Sequence, residues 1–138
     1  MMRFVTLLGA PSITLLALLL DLVTRRRLFS RREHRALLGF AAAAAIILYG
    51  STLGYLPLDV YRAGFSPWAP VVLAVAAIAV APRSLPLALT FLATLVAYDA
   101  PLFTSVNLFD YAVDPMLGIF AIVWAIATTF RRLLAVPA

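Results

Sequence analysis

Residues 107–115, NLFDYAVDP, place Asp110 and Asp114 four positions apart and Asn107 three positions before the first, in a chain with six acidic residues in all. Oxygen ligands of this kind suit a hard cation such as calcium, which takes about six to eight oxygens, often from several carboxylates on a short loop. With Asp99 upstream, the set Asp99, Asn107, Asp110 and Asp114 is the candidate metal site of the chain. The pattern is weak as a motif, because no glycine stands at the turning position of a calcium loop and the spacing fits no calcium signature. Asp114 also has a structural role to fill. Aspartate followed by proline is a favoured helix start, since its carboxylate accepts orphan N–H groups at the positive end of the helix dipole. Asn107 and Asp110 then fall just before that helix, where such residues form turns of their own. Asn107, Asp110 and Tyr111 are left as the part of the stretch with a functional reading.

Other chemistries are excluded by what the chain lacks. There is no cysteine, so thiolate metal sites, disulfides and cysteine nucleophiles are ruled out. The single histidine, His34, leaves no second imidazole for a metal cluster. The sequence contains no serine–histidine–aspartate set with an elbow motif, no phosphate-cradling glycine loop and no dinucleotide fingerprint. No cofactor is therefore expected.

The elements that must position these residues are apolar. Of 138 residues, 64% are hydrophobic and 12% charged, against roughly 45–50% and about 25% in soluble domains. The mean hydropathy is +1.04. The formal charge is +5, and all eleven basic residues are arginine, a usage that fits a GC-rich bacterial genome. In a soluble protein that balance would point to nucleic acid. Here the arginines sit at the ends of apolar runs and read as topology signals, so no nucleic-acid partner is expected.

Residues 4–23 and 36–56 are apolar runs of spanning length, about 20 residues for a ~30 Å hydrocarbon core. The first ends in DLVTRRR rather than a small-residue cleavage site, so it reads as a retained helix bent at Pro11 and not as a signal peptide. Residues 68–98 hold Pro82 and Pro86, and interior prolines break helices. The reading is a hairpin of two short helices, 68–81 and 85–98, joined at PRSLP. Full spans and a re-entrant pair both stay open for it. A last run, residues 116–130, is closed by Arg131 and Arg132.

Arginines gather on the cytoplasmic side of short loops. With five spans, nine arginines (25, 26, 27, 31, 32, 35, 83, 131 and 132) fall inside and two (3 and 62) outside. With four, the Arg131–Arg132 pair would lie outside. The expected fold class is thus an all-α integral membrane protein, one polytopic domain over residues 1–138, with five transmembrane helices, amino terminus outside and carboxyl terminus cytoplasmic, in a bacterial inner membrane. Asp59, Asp99, Asp110 and Asp114 then share the outer face, with Tyr55, Tyr61, Trp68, Tyr98 and Tyr111 as an aromatic belt.

The arginine loop, with Arg25, Arg26, Arg27, Arg31, Arg32 and Arg35, together with Arg83 at the hairpin tip, is expected to meet anionic headgroups or an acidic partner. His34 is a bystander in that reading. Asp21 lies one helical turn from Arg25 and is expected to pair with it. Gly50 and Gly54 form a small-xxx-small pattern expected to let helices pack closely, within the chain or between protomers.

Small size, short loops and the lack of a catalytic set make an accessory or scaffolding subunit of a larger membrane complex the first functional expectation, with another membrane protein or a second copy as partner. A small oligomeric transporter or channel using the outer aspartates comes second, since proline-broken helices are pointers to transport sites. An enzyme acting on lipid or glycan headgroups ranks last.

Overall fold

The computed structural model describes residues 10–24 and 27–134. All regular structure among them is helical. The elements are α1 (Ile13–Thr24), α2 (Arg31–Thr52), a 3-10 turn (Tyr61–Phe65), α3 (Trp68–Val80), α4 (Leu85–Asp99), α5 (Leu108–Ala112) and α6 (Pro115–Leu134). The α2 and α6 helices are long and apolar enough to cross a membrane, whereas α1, α3 and α4 are shorter apolar helices.

Each boundary has a local cause. Ser12 starts α1, its hydroxyl accepting from Leu15 N at 3.2 Å. Residues 10–12 are non-helical and the described helix begins at Ile13, after Pro11. Residues 4–9 of the expected first span lie outside the described residues. The α2 helix begins at Arg31, five positions before the expected apolar run, because Ser30 and Glu33 form a capping box. Glu33 N donates to Ser30 Oγ at 3.3 Å and Ser30 N donates to Glu33 Oε2 at 2.7 Å. At the other end, Gly54 adopts φ +80°, Gly54 N donates to Ser51 O at 3.1 Å and Tyr55 N to Gly50 O at 2.9 Å. That is a Schellman stop, which ends the helix at Thr52 and not at the expected Leu56.

The hairpin at PRSLP is present. The α3 helix ends at Val80, Ser84 caps α4 by accepting from Leu87 N at 3.3 Å, and Pro86 sits in the first turn of α4, where a missing N–H costs nothing.

The core is the crossing of α2 and α6. Ala41, Ala42 and Ala45 of α2 meet Leu117 and Ala121 of α6, all buried. A Cβ on Gly118 would stand 2.8 Å from Ala45 Cβ and 3.1 Å from Tyr49 Cε2, so the two backbones approach as closely as small residues allow. Within the chain, Gly50 and Gly54 make no such close helix contact. Gly54 is past the helix end with nothing within 4 Å of an added Cβ, and Gly50 faces only Leu56 of its own strand of chain, at 3.8 Å.

The helices α1, α2, α3, α4 and α6 alternate in direction between two ends. One end gathers Arg27, Arg31, Arg35 and Arg131 around one cleft, and Arg32 and Arg83 around another. The opposite end holds Ser12, the 3-10 turn, α5 and Asp114. By length, the three shorter helices rise about 18–22 Å and the two longer ones about 30–33 Å at 1.5 Å per residue.

Candidate functional site

The stretch NLFDYAVDP folds into α5 and the start of α6, and its polar side chains bind this protein's own groups. Asn107 is fully buried. Its Oδ1 accepts from Phe109 N at 2.9 Å, capping α5, and its Nδ2 donates to Tyr61 O at 2.9 Å. Gly64 lies directly beneath it, where any Cβ would overlap Asn107 Oδ1 and come within 2.7 Å of Phe109 Cδ2. This position requires glycine for space.

Asp110 accepts the Tyr61 hydroxyl on both oxygens, at 2.9 and 2.8 Å, and Ser105 Oγ on Oδ2 at 2.5 Å. Burial and then the hydrogen bond to Asp110 push the Tyr61 hydroxyl up to about 12. Tyr111 is fully buried, stacks on Phe103 at 4.7 Å and meets Tyr98 edge-on at 5.5 Å. Its hydroxyl donates to the carbonyl oxygens of Phe103 and Ser105, at 3.0 and 3.1 Å, and accepts from Phe103 N at 3.2 Å. Asp114 is 2% exposed. One of its oxygens accepts from Leu117 N at 2.9 Å, the cap expected from Asp–Pro, and the other from Ser12 N at 2.7 Å.

These residues close the acidic end like a clasp around the starts of α1, α5 and α6. Asp99 ends α4 and is exposed, Asn107 and Asp114 are buried on protein partners, and no three His, Asp or Glu side chains converge among the described residues. Asp59, two residues before the 3-10 turn, accepts from Arg62 N at 3.1 Å. Of the expected belt, Tyr55 and Trp68 are exposed, whereas Tyr111 is core.

The other end offers space. A cleft of about 860 Å³ lies between the α1–α2 connection, the start of α2 and the end of α6. Arg27, Arg31, Arg35 and Arg131 line it, beside Trp124 and Thr128. Asp21, 8% exposed, turns the connection back on itself by accepting the N–H groups of Leu28 and Phe29. His34 Nε2 stands 3.6 Å from Asp21, and its ring meets Phe29 edge-on at 5.7 Å. His34 is thus a neighbour of Asp21 within the cleft wall. Arg25, the expected partner of Asp21, and Arg26 lie outside the described residues.

Glu33 bridges the helix pair to the hairpin by accepting the Ser84 hydroxyl. Arg83 folds back, its Nη1 donating to Ala79 O at 3.3 Å at the end of α3. Among the described residues the single ion-pair contact is that of His34 with Asp21, so the arginines of the basic end have no carboxylate partner there. Trp124, Thr128 and Ser84 are the residues sequence reasoning missed. Their only sequence signal was position: Thr128 one turn and Trp124 two turns before Arg131, and Ser84 just before a helix. Compared with family models, with curated proteins and with solved structures, the chain matches none.

Proposed function

We propose that this chain is a five-span protein of a bacterial inner membrane, amino terminus outside and carboxyl terminus cytoplasmic, that serves as an accessory or scaffolding subunit of a larger membrane complex. The observation that carries the reading is the use of Asn107, Asp110, Tyr111 and Asp114 as internal ties. The acidic end spends its polar groups on its own helix starts, as a structural part does. Helices of alternating direction, with most of the arginines at one end and four of the five aspartates at the other, support the orientation. The short helices α1, α3 and α4 fit beside α2 and α6 through local thinning of the bilayer.

The partner in this reading is a transmembrane helix. Ala36, Gly39 and Ala43 are exposed along one side of α2, and an added Cβ on Gly39 meets nothing within 4 Å. Small residues of this kind let a neighbouring helix approach closely in lipid.

Purification of the tagged chain from its native membranes in mild detergent tests the reading. A stoichiometric membrane partner is expected, and Gly39→Leu should release it while leaving helix content unchanged. Emergence of the chain alone would overturn the proposal. Flux in proteoliposomes that is abolished by Asp110→Asn would instead favour a small transporter. A reporter enzyme active only in the periplasm, fused at Ala138, should stay silent.

A further inference from the structure

The basic cleft carries a ligand chemistry that goes beyond the scaffold reading and stands without it. We propose that the cleft between the α1–α2 connection and α6 is a binding site for a phosphate group, held by Arg27, Arg31, Arg35 and Arg131.

The four arginines come from three separate elements and line one space. Arg31 and Arg35 are one turn apart on α2, Arg131 comes from the end of α6 and Arg27 from the connection. Arg27 has φ +49°, a left-handed conformation disfavoured for a non-glycine residue, within the connection that Asp21 holds.

The nearby carboxylates are already committed. Asp21 is taken by the N–H groups of Leu28 and Phe29 and by His34, and Glu33 by Ser30 and Ser84. Asp21 and Glu33 line the same cleft, so four arginines against two carboxylates leave it a formal charge of +2 with His34 neutral, and none of the four arginines is in an ion pair among the described residues. Guanidinium is the side-chain group whose planar fork matches phosphate oxygens in pairs, and it stays charged at every working pH. The cleft is of the size of small-molecule sites, about 300–1,000 Å³. Leu28, Leu38 and Trp124 line it as well, which gives the ligand an apolar side. A phospholipid headgroup and a soluble di- or polyphosphate share the required chemistry.

The chain has two tryptophans, Trp68 at the acidic end and Trp124 in the cleft, so Trp68→Phe leaves Trp124 as the sole reporter. Full-length protein in uncharged detergent is titrated with inorganic pyrophosphate, and in nanodiscs with increasing phosphatidylglycerol against pure phosphatidylcholine. A saturable change in Trp124 fluorescence is expected with at least one of the two phosphate probes. A response to pyrophosphate assigns a soluble ligand, and a response to phosphatidylglycerol alone assigns a lipid headgroup.

Arg35→Gln with Arg131→Gln should weaken the response about tenfold, and Arg32→Gln with Arg83→Gln, which removes equal charge at the neighbouring cleft, by less than about twofold. Arg27→Gln with Arg31→Gln replaces the first pair if that one loses helix content by circular dichroism. Equal weakening by cleft and control pairs would show diffuse attraction to the basic end and overturn the site. A flat titration of the Trp68→Phe parent with both probes would overturn it without recourse to any arginine variant.

Discussion

Asp114 Oδ2 accepts the backbone N–H of Ser12 at 2.7 Å, across 102 positions of sequence, while Oδ1 of the same carboxylate accepts Leu117 N at 2.9 Å. One negative charge thus faces the amino-terminal ends of both α1 and α6, where the helix dipoles are positive. Hydrogen bonds to charged groups contribute about 1.5–3 kcal/mol each. Asp114→Asn keeps one acceptor but turns an amide N–H toward a backbone N–H, so a loss of about 2 kcal/mol is expected, and Asp114→Ala about 4 kcal/mol. Reversible unfolding of purified protein in mixed detergent measures both. Equal stability of wild type and Asp114→Ala would show that the two helix starts are held by something else.

The Tyr61–Asp110 tie gives the acidic end an alkaline limit. The Tyr61 hydroxyl is raised from 10.0 to about 12, so the folded state favours its neutral, donating form. The sign follows from linkage: the contribution is complete below pH 10 and is lost as pH rises through about 12. Arginine keeps its charge over most of that window, and the other tyrosines are common to both chains. Wild type should therefore lose stability between pH 10 and 12 more steeply than Tyr61→Phe, which lacks the titrating group. Parallel curves would mean that Tyr61 ionises as it does in the unfolded chain.

How much of this was legible depends on whether a local rule was enough. Pro82 and Pro86 mark the hairpin because a proline acts on its own helix, and α3 and α4 end and begin within a residue of the expected limits. Asp114–Pro115 marks the start of α6 for the same reason. Hydropathy, by contrast, misplaced both ends of α2. It is blind to the Ser30–Glu33 capping box, which adds a polar first turn, and to Gly54, whose left-handed conformation ends the helix inside an apolar run. The acidic end was illegible for a different reason. Asn107, Asp110 and Asp114 find their partners 46, 49 and 102 positions away, at Tyr61 and Ser12, and no spacing within NLFDYAVDP encodes those distances. The choice of Gly118 over Gly50 as the close-packing glycine likewise depends on which face of α2 meets α6.

Gly54 and Gly50 should respond to alanine with opposite signs. Gly54 needs φ +80°, which costs an L-residue about 1–2 kcal/mol, so Gly54→Ala should destabilise by about that amount. Gly50 is helical, and its added Cβ would make only ordinary contact with Leu56 at 3.8 Å. Removing a glycine from a helix gains up to about 1 kcal/mol, so Gly50→Ala should be neutral or stabilising. The same unfolding assay reads both. A loss at Gly50 equal to that at Gly54 would indicate that this glycine packs against another helix after all.

Gly118 and Ala45 should be energetically coupled. A Cβ at Gly118 stands 2.8 Å from Ala45 Cβ, an atom attached directly to the α2 backbone that cannot rotate away, so the helices must separate to admit it. Gly118→Ala should cost about 1–3 kcal/mol, the usual penalty of overpacking. Ala45→Gly removes the atom that clashes, so the double variant should recover part of that loss. Recovery stays incomplete because the new methyl also presses on Tyr49 Cε2 at 3.1 Å. A favourable coupling of about 1 kcal/mol is expected from the double-mutant cycle, beyond the additivity of independent sites. Strict additivity would mean that α2 and α6 do not cross at these two residues. Because the α2–α6 crossing is the core of the bundle, that outcome would remove the packing on which the placement of both ends rests.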